Sequence, residues 1–166
     1  MFRISLLLLA SLVPMFAQVK VAVINVQNAI LETAEIKKAQ TELEAKYKPR
    51  QQKLESLNKE LTDLQTRLQQ MQGKLTTAAE GDMQVTGQRK QKEAQRISED
   101  LQADVDRDRN DILSKTGTRM QDVVKKLAEE KGLDLVVDVS QTLYFKPAME
   151  LTKEATAAYD KVYPVK

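Results

Sequence analysis

The sequence contains no cysteine, no histidine and no tryptophan, and aromatic residues make up only 4% of its 166 positions. Without cysteine or histidine, the chain cannot form a Cys/His or Ser/His/Asp nucleophile system, a thiolate zinc site or a histidine metal site. Disulfide bonds are excluded as well, which is compatible with either a reducing or an oxidising compartment. Any enzyme activity would have to depend on carboxylates, lysine or tyrosine.

The chain also has only five glycines and four prolines, and it lacks a strong net charge of either sign. Its 26 basic and 24 acidic residues leave a net charge of +2, whereas a nucleic-acid-binding protein usually carries a concentrated basic excess. There is no glycine-rich phosphate loop, so no site for ATP hydrolysis is predicted. A charged content of 30% with so few aromatic residues is typical of long helices or a coiled coil.

The first 17 residues have the pattern of a secretory signal peptide. One basic residue, Arg3, precedes an apolar run over residues 4–13, and a small residue, Ala17, follows the run. The run is about half the ~20 residues that are needed to span a bilayer, so a permanent transmembrane anchor is the weaker interpretation. We therefore predict export, cleavage near Ala17 and a soluble mature protein.

Two later segments have the composition of strands. Residues 19–26 (VKVAVINV) are nearly all apolar and rich in β-branched side chains, which predicts a buried strand. Residues 133–139 (LDLVVDV) alternate, which places positions 133, 135, 137 and 139 on one buried face and two aspartates on the other. Residues 142–145 (TLYF) are predicted to form a second short strand, and a short final helix is predicted with Thr152 as its N-cap.

Residues 27–131 favour helix almost throughout, with Pro49 and four glycines as the only strong breakers. Apolar residues recur there at alternating spacings of three and four, which is the pattern of a coiled-coil seam: Leu54, Leu57, Leu61, Leu64, Leu68, Met71 and Leu75. Gly81 lies between two acidic residues that favour turns, so we predict that the chain folds back at Gly81 into an antiparallel hairpin. The facing pairs in that register include Leu64 with Ile97, Leu61 with Leu101 and Arg50 with Ile112. Gly132 is predicted to be the left-handed C-cap of the returning helix.

The predicted arm is long and the remainder of the chain is small. The stretch from Pro49 to the tip corresponds to roughly 45 Å of helix at ~1.5 Å per residue. The strand-forming segments, residues 19–26 and 133–166, are too short to sustain a core by themselves, so we predict oligomerisation. The fold class is therefore α+β and mostly α, with a long antiparallel coiled-coil hairpin projecting from a small β body that other copies complete.

The seam loses its partners near the predicted tip, where Met71 and Leu75 face Gln91 and Gly87. Leucine and methionine in a seam are ordinarily core residues. Apolar side chains without an intramolecular partner can instead contact another polypeptide. The predicted contact residues are Met71, Leu75 and Met83.

Five basic residues gather in the same half of the arm: Lys74, Arg89, Lys90, Lys92 and Arg96. Such a cluster could meet the phosphates of lipopolysaccharide or of an anionic membrane surface, and the alternative is an ordinary hydrated helix face. Nucleic acid is not predicted, because no aromatic residues interleave with the charges.

An acidic stripe on the returning helix is predicted to be an ion-paired surface near Lys53 and Lys59. Its members are Asp100, Asp104, Asp108 and Asp111. A calcium loop is excluded, because Arg109 and Lys115 occupy the places of the required glycine and glutamate. No catalytic residue, metal site or cofactor site is predicted.

The order of export signal, strand KVAVINV, helical hairpin, strand GLDLVVDVSQTLYF and final helix ELTKEATAAYDKV closely resembles the Skp/OmpH family of periplasmic chaperones. The match is strongest over residues 20–31 and over residues 133–144, and it continues into Leu151 and Thr152. The resemblance implies a homotrimer whose strands form a small central barrel and whose three hairpins surround a cavity. Residues 18–48 and 113–166 would then form the trimerisation body, and residues 49–112 the arm.

The resemblance also implies a function without enzyme activity or cofactors. It implies an ATP-independent periplasmic holdase that binds unfolded outer-membrane proteins before their insertion. The alternative is a structural coiled-coil spacer of the cell envelope, whose arms pair with each other or with a partner helix. A spacer should keep apolar seam positions on both helices, whereas Gly87, Gln91 and Asp108 lie on the returning one.

Overall fold

The computed structural model describes residues 19–165, so the predicted signal peptide lies outside the described residues. The elements follow in the order β1 (Val21–Ile24), α1 (Val26–Leu31), α2 (Ala34–Gln70), α3 (Thr77–Lys131), β2 (Leu135–Asp138) and α4 (Thr152–Val162), with short 3₁₀ turns at Val139–Gln141 and Pro147–Met149. This is the predicted mostly helical α+β fold.

The two strands form a small parallel sheet in which Val23 pairs with Val137. Parallel strands require a crossover connection, and here the crossover consists of α1, α2 and α3. The other edge of β1 is partly covered by the chain before α4, where Glu150 bridges to Val23 and the Leu151 N–H donates to the Val23 carbonyl at 2.8 Å. Within the described residues, β2 pairs with β1 alone, so its other edge is open.

The core of the body lies where the sheet, α1, α4 and the lower half of α3 meet. Its buried members are Ile24, Ala29, Met120, Val123, Ala155 and Tyr159. Because α3 runs without interruption from this core to the tip, the body fixes the direction in which α3 leaves it.

The predicted C-cap of α3 is confirmed and the predicted cap of α4 is wrong. Gly132 has φ 60° and ψ 42°, and its N–H donates to the carbonyls of the last helical turn. Leu151 is the N-cap of α4, and Thr152 is already the first helical residue. The Thr152 hydroxyl instead accepts from the N–H of Asn25 at 3.0 Å, which ties α4 to the end of β1.

The helical region differs from the prediction at two points. A break at Glu32 and Thr33 separates α1 from α2, and the Thr33 hydroxyl caps α2 by accepting from the N–H of Ile36 at 3.3 Å. Pro49, by contrast, does not end a helix, since α2 continues through it. Proline in a helix interior leaves the carbonyl four residues earlier without its partner and also crowds it, at a cost of about 3 kcal/mol, and the 37-residue helix continues in spite of that cost.

The hairpin turn is not at Gly81. Helix α2 ends at Gln70 and α3 begins at Thr77, so residues 71–76 form the turn and Gly81 lies inside α3. Gly73 has φ 76°, a backbone conformation that glycine adopts at little cost. The Thr76 hydroxyl then caps α3 by accepting from the N–H of Ala79 at 3.3 Å. The prediction missed this turn because the leucine spacing continues across it.

The corrected turn shifts the register of the whole arm. Leu64 contacts Gly87 and not Ile97, and a Cβ atom added at Gly87 would lie 3.2 Å from Leu64 Cδ2. Arg50 pairs with Asp104 and not with Ile112. A glycine at position 87 therefore permits close packing of the two helices.

The strand predictions also need correction. Leu135 is 52% exposed, whereas Val136, on the opposite face of β2, packs against the core. Residues 142–145 do not form a strand in the single chain. Within the described residues this segment takes part in no β pairing, since β1 and β2 pair with each other and the bridge to β1 is made by Glu150.

We expect the observed register to be detectable by disulfide crosslinking in this cysteine-free chain. Oxidation of Leu64→Cys/Gly87→Cys should join the two helices within one chain, because cysteine is small enough to replace the Leu64 contact and a disulfide requires close Cα atoms. The matched Leu64→Cys/Ile97→Cys variant should not crosslink, since Ile97 lies about 15 Å further along α3. Gel mobility with and without reductant reports the result, and preferential crosslinking of the second pair would contradict the register.

Candidate functional site

The arm is the largest exposed feature of the protein, and α2 alone has 37 residues, or about 55 Å of helix. Its outer half contains little buried apolar surface. Leu57 and Ala94 are buried there, while glutamines and Asn58 share the space between the helices with Leu54 and Leu61. Polar side chains in a seam weaken the contact between its helices, so packing alone does not hold the outer half rigid.

Ion pairs across the arm supply part of its cohesion. Asp108 accepts from Lys46 and from the Tyr47 hydroxyl, the latter at 2.7 Å, and Asp104 accepts from Arg50 at 2.5 Å. Two of the four residues of the acidic stripe, Asp104 and Asp108, are thus ion-paired, and their partners on α2 are Arg50 and Lys46 in place of Lys53 and Lys59. The corrected register explains the difference.

Further from the body, Lys53 pairs with Glu93 at 3.6 Å, and Lys90 pairs with Glu60. The direction of the charges reverses between these two pairs, because α2 supplies the cation in the first and the anion in the second. Opposite charges at matching heights disfavour a shifted register, in which like charges would meet.

The predicted basic residues fall into two groups. Lys90 is half-buried and ion-paired with Glu60, so it is not a free surface cation. Arg89, Lys92 and Arg96 are exposed on α3, and Lys74 is exposed in the turn. Arg96 also lies beside Arg50 and Lys53 of the facing helix, which are ion-paired with Asp104 and Glu93.

The predicted apolar contact residues all lie at or near the tip. Met71 is the C-cap of α2 and is 41% exposed, and Leu75 is half-buried in the turn. Met83 is half-buried beside Leu61, Leu64 and Leu68, so it belongs to the seam. Val85, which the sequence analysis did not single out, is 46% exposed on α3.

The sequence analysis missed a second apolar surface, at the root of the arm. It is an open groove between the first turns of α2 and the facing part of α3, lined mainly by Leu31, Ile36, Ala39, Leu43, Val105 and Ile112. These residues come from widely separated parts of the chain and form no run in the sequence. Only the corrected register places them together.

A third exposed apolar surface lies on the body. Leu143 is fully exposed and Tyr144 is 80% exposed, and both follow the open strand β2, on which Leu135 is also exposed. Beside β2, Val26, Met120, Val124, Ala128 and Val136 line an almost wholly apolar groove. Large apolar side chains next to an unpaired strand edge are typical of a surface that another chain covers.

A cluster of polar residues joins three helices at the root of the arm. Arg119 Nη1 donates to both carboxylate oxygens of Glu35, on α2, at 3.0 Å each. Lys115 Nζ lies 3.3 Å from Glu35 Oε1. The hydroxyl of Tyr159, on α4, donates to Glu35 Oε2 at 2.5 Å. We refer to Glu35, Lys115, Arg119 and Tyr159 as the root cluster. No sequence motif predicts this cluster.

The cluster keeps Glu35 ionised. Burial by itself would raise the pKa of this carboxyl group, but the hydrogen bond from Tyr159 and the two nearby cations hold the pKa below its ordinary value. Burial and the bond to Glu35 raise the pKa of the Tyr159 hydroxyl, so this group remains the donor. Arg119 also stacks on the ring of Tyr163, with 4.5 Å from the guanidinium carbon to the ring centre.

Among residues 19–165, no group of His, Cys, Asp or Glu side chains is arranged to hold a metal ion. None of the helices in that range combines the length and the apolar character that crossing a membrane requires.

We expect acid to destabilise the protein through its ion-paired carboxylates, four of which have lowered pKa values. A hydrogen bond from Lys46 lowers the pKa of Asp108, and one from Arg50 lowers the pKa of Asp104. A hydrogen bond from Lys90 lowers the pKa of Glu60, and the root cluster lowers the pKa of Glu35. The pKa in the unfolded chain is 3.8 for Asp and 4.5 for Glu, and above it each ionised carboxylate stabilises the folded state. This contribution is lost as the pH falls through the lower pKa that the group has in the folded state.

Circular dichroism melts at decreasing pH provide the measurement. The melting temperature should begin to fall near pH 4.5 and fall further below it. Glu35→Gln should show a smaller fall than the wild type, and Glu55→Gln, a control at an exposed position of α2, should match the wild type. An equal acid dependence in all three proteins would contradict the role given to Glu35.

Comparison with known proteins assigns the chain to a family. Residues 20–159 match the model of the family described as "Outer membrane protein (OmpH-like)". A "Chaperone protein Skp" from Pectobacterium atrosepticum is 30% identical over 155 residues, covering 89% of this chain and 90% of the relative. A protein of the same name from Yersinia enterocolitica is 30% identical over 142 residues, covering 81% of this chain and 82% of the relative.

The fold is also similar to a solved structure. A putative outer membrane chaperone (OmpH-like) from Caulobacter crescentus aligns with a TM-score of 0.73 over 90% of this chain and 89% of that chain, at 17% identity. At that identity the likeness concerns the fold alone. The match of the family model over residues 20–159, together with the two Skp relatives, shows that the chain belongs to the OmpH-like family, which includes the Skp chaperones.

Proposed function

We propose that the protein is an ATP-independent holdase of the periplasm that binds unfolded outer-membrane proteins and prevents their aggregation before insertion. The observation that carries the proposal is the combination of family membership with a long, loosely packed arm on a body too small to hold a substrate itself. Because the described residues offer no deep enclosed site, binding would use many weak contacts.

The active unit in this proposal is a homotrimer built on the open edge of β2. A two-stranded sheet is marginal by itself, and Leu135, Leu143 and Tyr144 would be shielded from water if another copy extended the sheet. Residues 142–145 have the β-forming composition of a strand and lack a strand partner in their own chain. They are the natural segment to pair with β2 of a neighbouring copy, with an apolar side chain filling the groove beside Val124 and Val136.

In the trimer, three arms would enclose a space for the client. The exposed Met71 and the half-buried Leu75 and Met83 would contact apolar segments of the client. The exposed cations Lys74, Arg89, Lys92 and Arg96 would attract acidic clients. The same cations would contact the phosphates of lipopolysaccharide or of an anionic membrane surface. The alternative of a structural spacer is less well supported, since the seam of the outer arm contains glutamines, which weaken permanent pairing of the helices.

We expect Leu135→Asp to dissociate the trimer without unfolding the protomer. Leu135 is half-exposed in the single chain, so a charge there is tolerated, whereas burial of that charge in a trimer interface without a partner would cost several kcal/mol. Sedimentation equilibrium should show monomers, and circular dichroism should show retained helix. Val85→Asp, at a residue of similar exposure on the arm, serves as the control and should remain trimeric. A wild-type protein that sediments as a folded monomer at micromolar concentration would refute the trimer.

We expect reversal of the exposed basic residues to slow client capture. Arg89→Glu/Lys92→Glu should reduce the association rate with an acidic unfolded barrel protein by about tenfold at low salt and should flatten its salt dependence. Lys90 is left unchanged because it pairs with Glu60. Stopped-flow fluorescence with a labelled client provides the rates.

A control variant carries the same change in charge elsewhere on the arm. Lys48→Glu/Lys59→Glu alters two exposed lysines of α2 outside the basic cluster and should retain most of the wild-type rate. Equal slowing in both variants would show that total charge, and not this surface, determines capture. A variant with both arm helices shortened symmetrically about Gly73 tests enclosure by the arms. If it suppresses client aggregation as well as the wild type does, enclosure is refuted.

A further inference from the structure

The root of the arm contains a junction at which the two arm helices are held in different ways. Helix α3 is continuous from the body to the tip, and its lower part is fixed by Met120 and Val123 in the core. Helix α2 begins after the break at Glu32 and Thr33, so no continuous helix carries its direction over from the body. The contacts of its first turn must therefore set that direction.

Those contacts converge on α4. The N–H of Ala34 donates to Asp160 Oδ1 at 3.0 Å, and Glu35 accepts from the Tyr159 hydroxyl. Tyr159 is fully buried and packs in the core, so it is a fixed point of the body. Arg119, held against Tyr163, donates to both oxygens of the same carboxylate.

We propose that Glu35 is a positioning residue that sets the angle between the arm and the body, and that this angle determines the size of unfolded protein that the arms accommodate. The first half concerns the geometry of the chain and is independent of any client. The second half rests on the proposed function.

The charge balance of the root cluster gives Glu35 this role. Its single negative charge lies within 3.3 Å of both Arg119 and Lys115, so it screens two cations from each other. Neutralising Glu35 leaves the two cations on α3 facing the start of α2 without a counter-charge in the cluster. Losing one partner of a half-buried charged group is costly because the remaining charges stay partly desolvated.

The length of the arm amplifies any change at its root. Over about 55 Å of helix, a rotation of roughly 10° displaces the tip by about 10 Å. Beyond the root, the ion pairs between α2 and α3 hold the two helices to each other and not to the body. Loosening the root therefore leaves the continuous helix α3 to hold the arm to the body by itself, so that bending of α3 moves the arm as a unit.

A distance measurement within one chain tests the positioning role. Nitroxide labels are attached at Gln72→Cys in the turn and Lys153→Cys on α4, since the chain has no other cysteine. The labelled protein is diluted with unlabelled protein, so that pulsed electron–electron double resonance reports distances within one chain. The wild type should give one narrow distribution. Glu35→Gln should at least double its width, while the matched control Glu55→Gln should leave it unchanged. An unchanged distribution in Glu35→Gln would overturn the proposal.

A milder variant separates positioning from simple stability. Tyr159→Phe removes one hydrogen bond to Glu35 but keeps the buried ring, and it should broaden the distribution to a lesser extent. A merely structural role of the cluster would lower the melting temperature while leaving the distances in folded molecules unchanged, and that result would also overturn the proposal. If Glu35→Gln does not fold, the Tyr159→Phe distribution decides.

The client-size half has a separate readout. Unfolded barrel proteins of increasing strand number are mixed with wild type and with Glu35→Gln, and the largest one retained on size exclusion is recorded. A shift in that limit supports the link to client size. Altered distances with an unchanged limit refute the link and leave the positioning role intact, whereas the absence of client retention by the wild type refutes the proposed function alone.

Discussion

The parallel pairing of β1 with β2 is the constraint on which the rest of the structure depends. Parallel neighbours cannot be joined by a tight turn, and in this chain the whole arm lies between them. The sheet of the body therefore forms only when the two ends of the arm bring β1 and β2 side by side. Once closed, the sheet brings α1, the lower half of α3 and α4 around one core, centred on Met120 and Tyr159. The arm is thus anchored by the same contacts that stabilise the body.

Above that anchor, charge and local turn geometry determine how the two helices align. The leucine spacing continues through Met71 and Leu75, so apolar periodicity alone would allow α2 to extend past its observed end. Gly73 in a left-handed conformation and the Thr76 cap end that extension. In the register that this turn sets, Asp108, Asp104 and Glu60 lie opposite their basic partners on the facing helix. A seam that contains glutamines specifies register weakly, and the ion pairs supply specificity that packing does not.

The exposed surfaces of the single chain have different physical characters. The open edge of β2 with Leu135 and Tyr144 is apolar and lies beside an apolar groove, as expected of a surface covered by another copy. The outer arm is polar and carries exposed cations, and its few exposed apolar residues are dispersed. Such a surface suits weak and repeated contacts with an unfolded chain better than one tight complex. The root cluster lies between these two regions and connects the geometry of one to that of the other.

Local sequence was sufficient for features that depend on neighbouring residues, because short-range spacing and composition decide them. The strand near Val23, the helical character of the arm, the left-handed cap at Gly132, the final helix and the small size of the body were all predictable in this way, and the family resemblance rested on the same segments. Features that depend on residues distant in sequence were decided only by the tertiary structure. The register of Leu64 against Gly87 required the position of the turn, and a displacement of the turn by a few residues changes every facing pair. Residues 142–145 have the composition of a strand but pair with no strand among the described residues, because composition does not determine which edge a segment meets. The meeting of Glu35, Arg119 and Tyr159 brings together three helices from both halves of the chain, and no pattern within any one of them indicates a shared carboxylate.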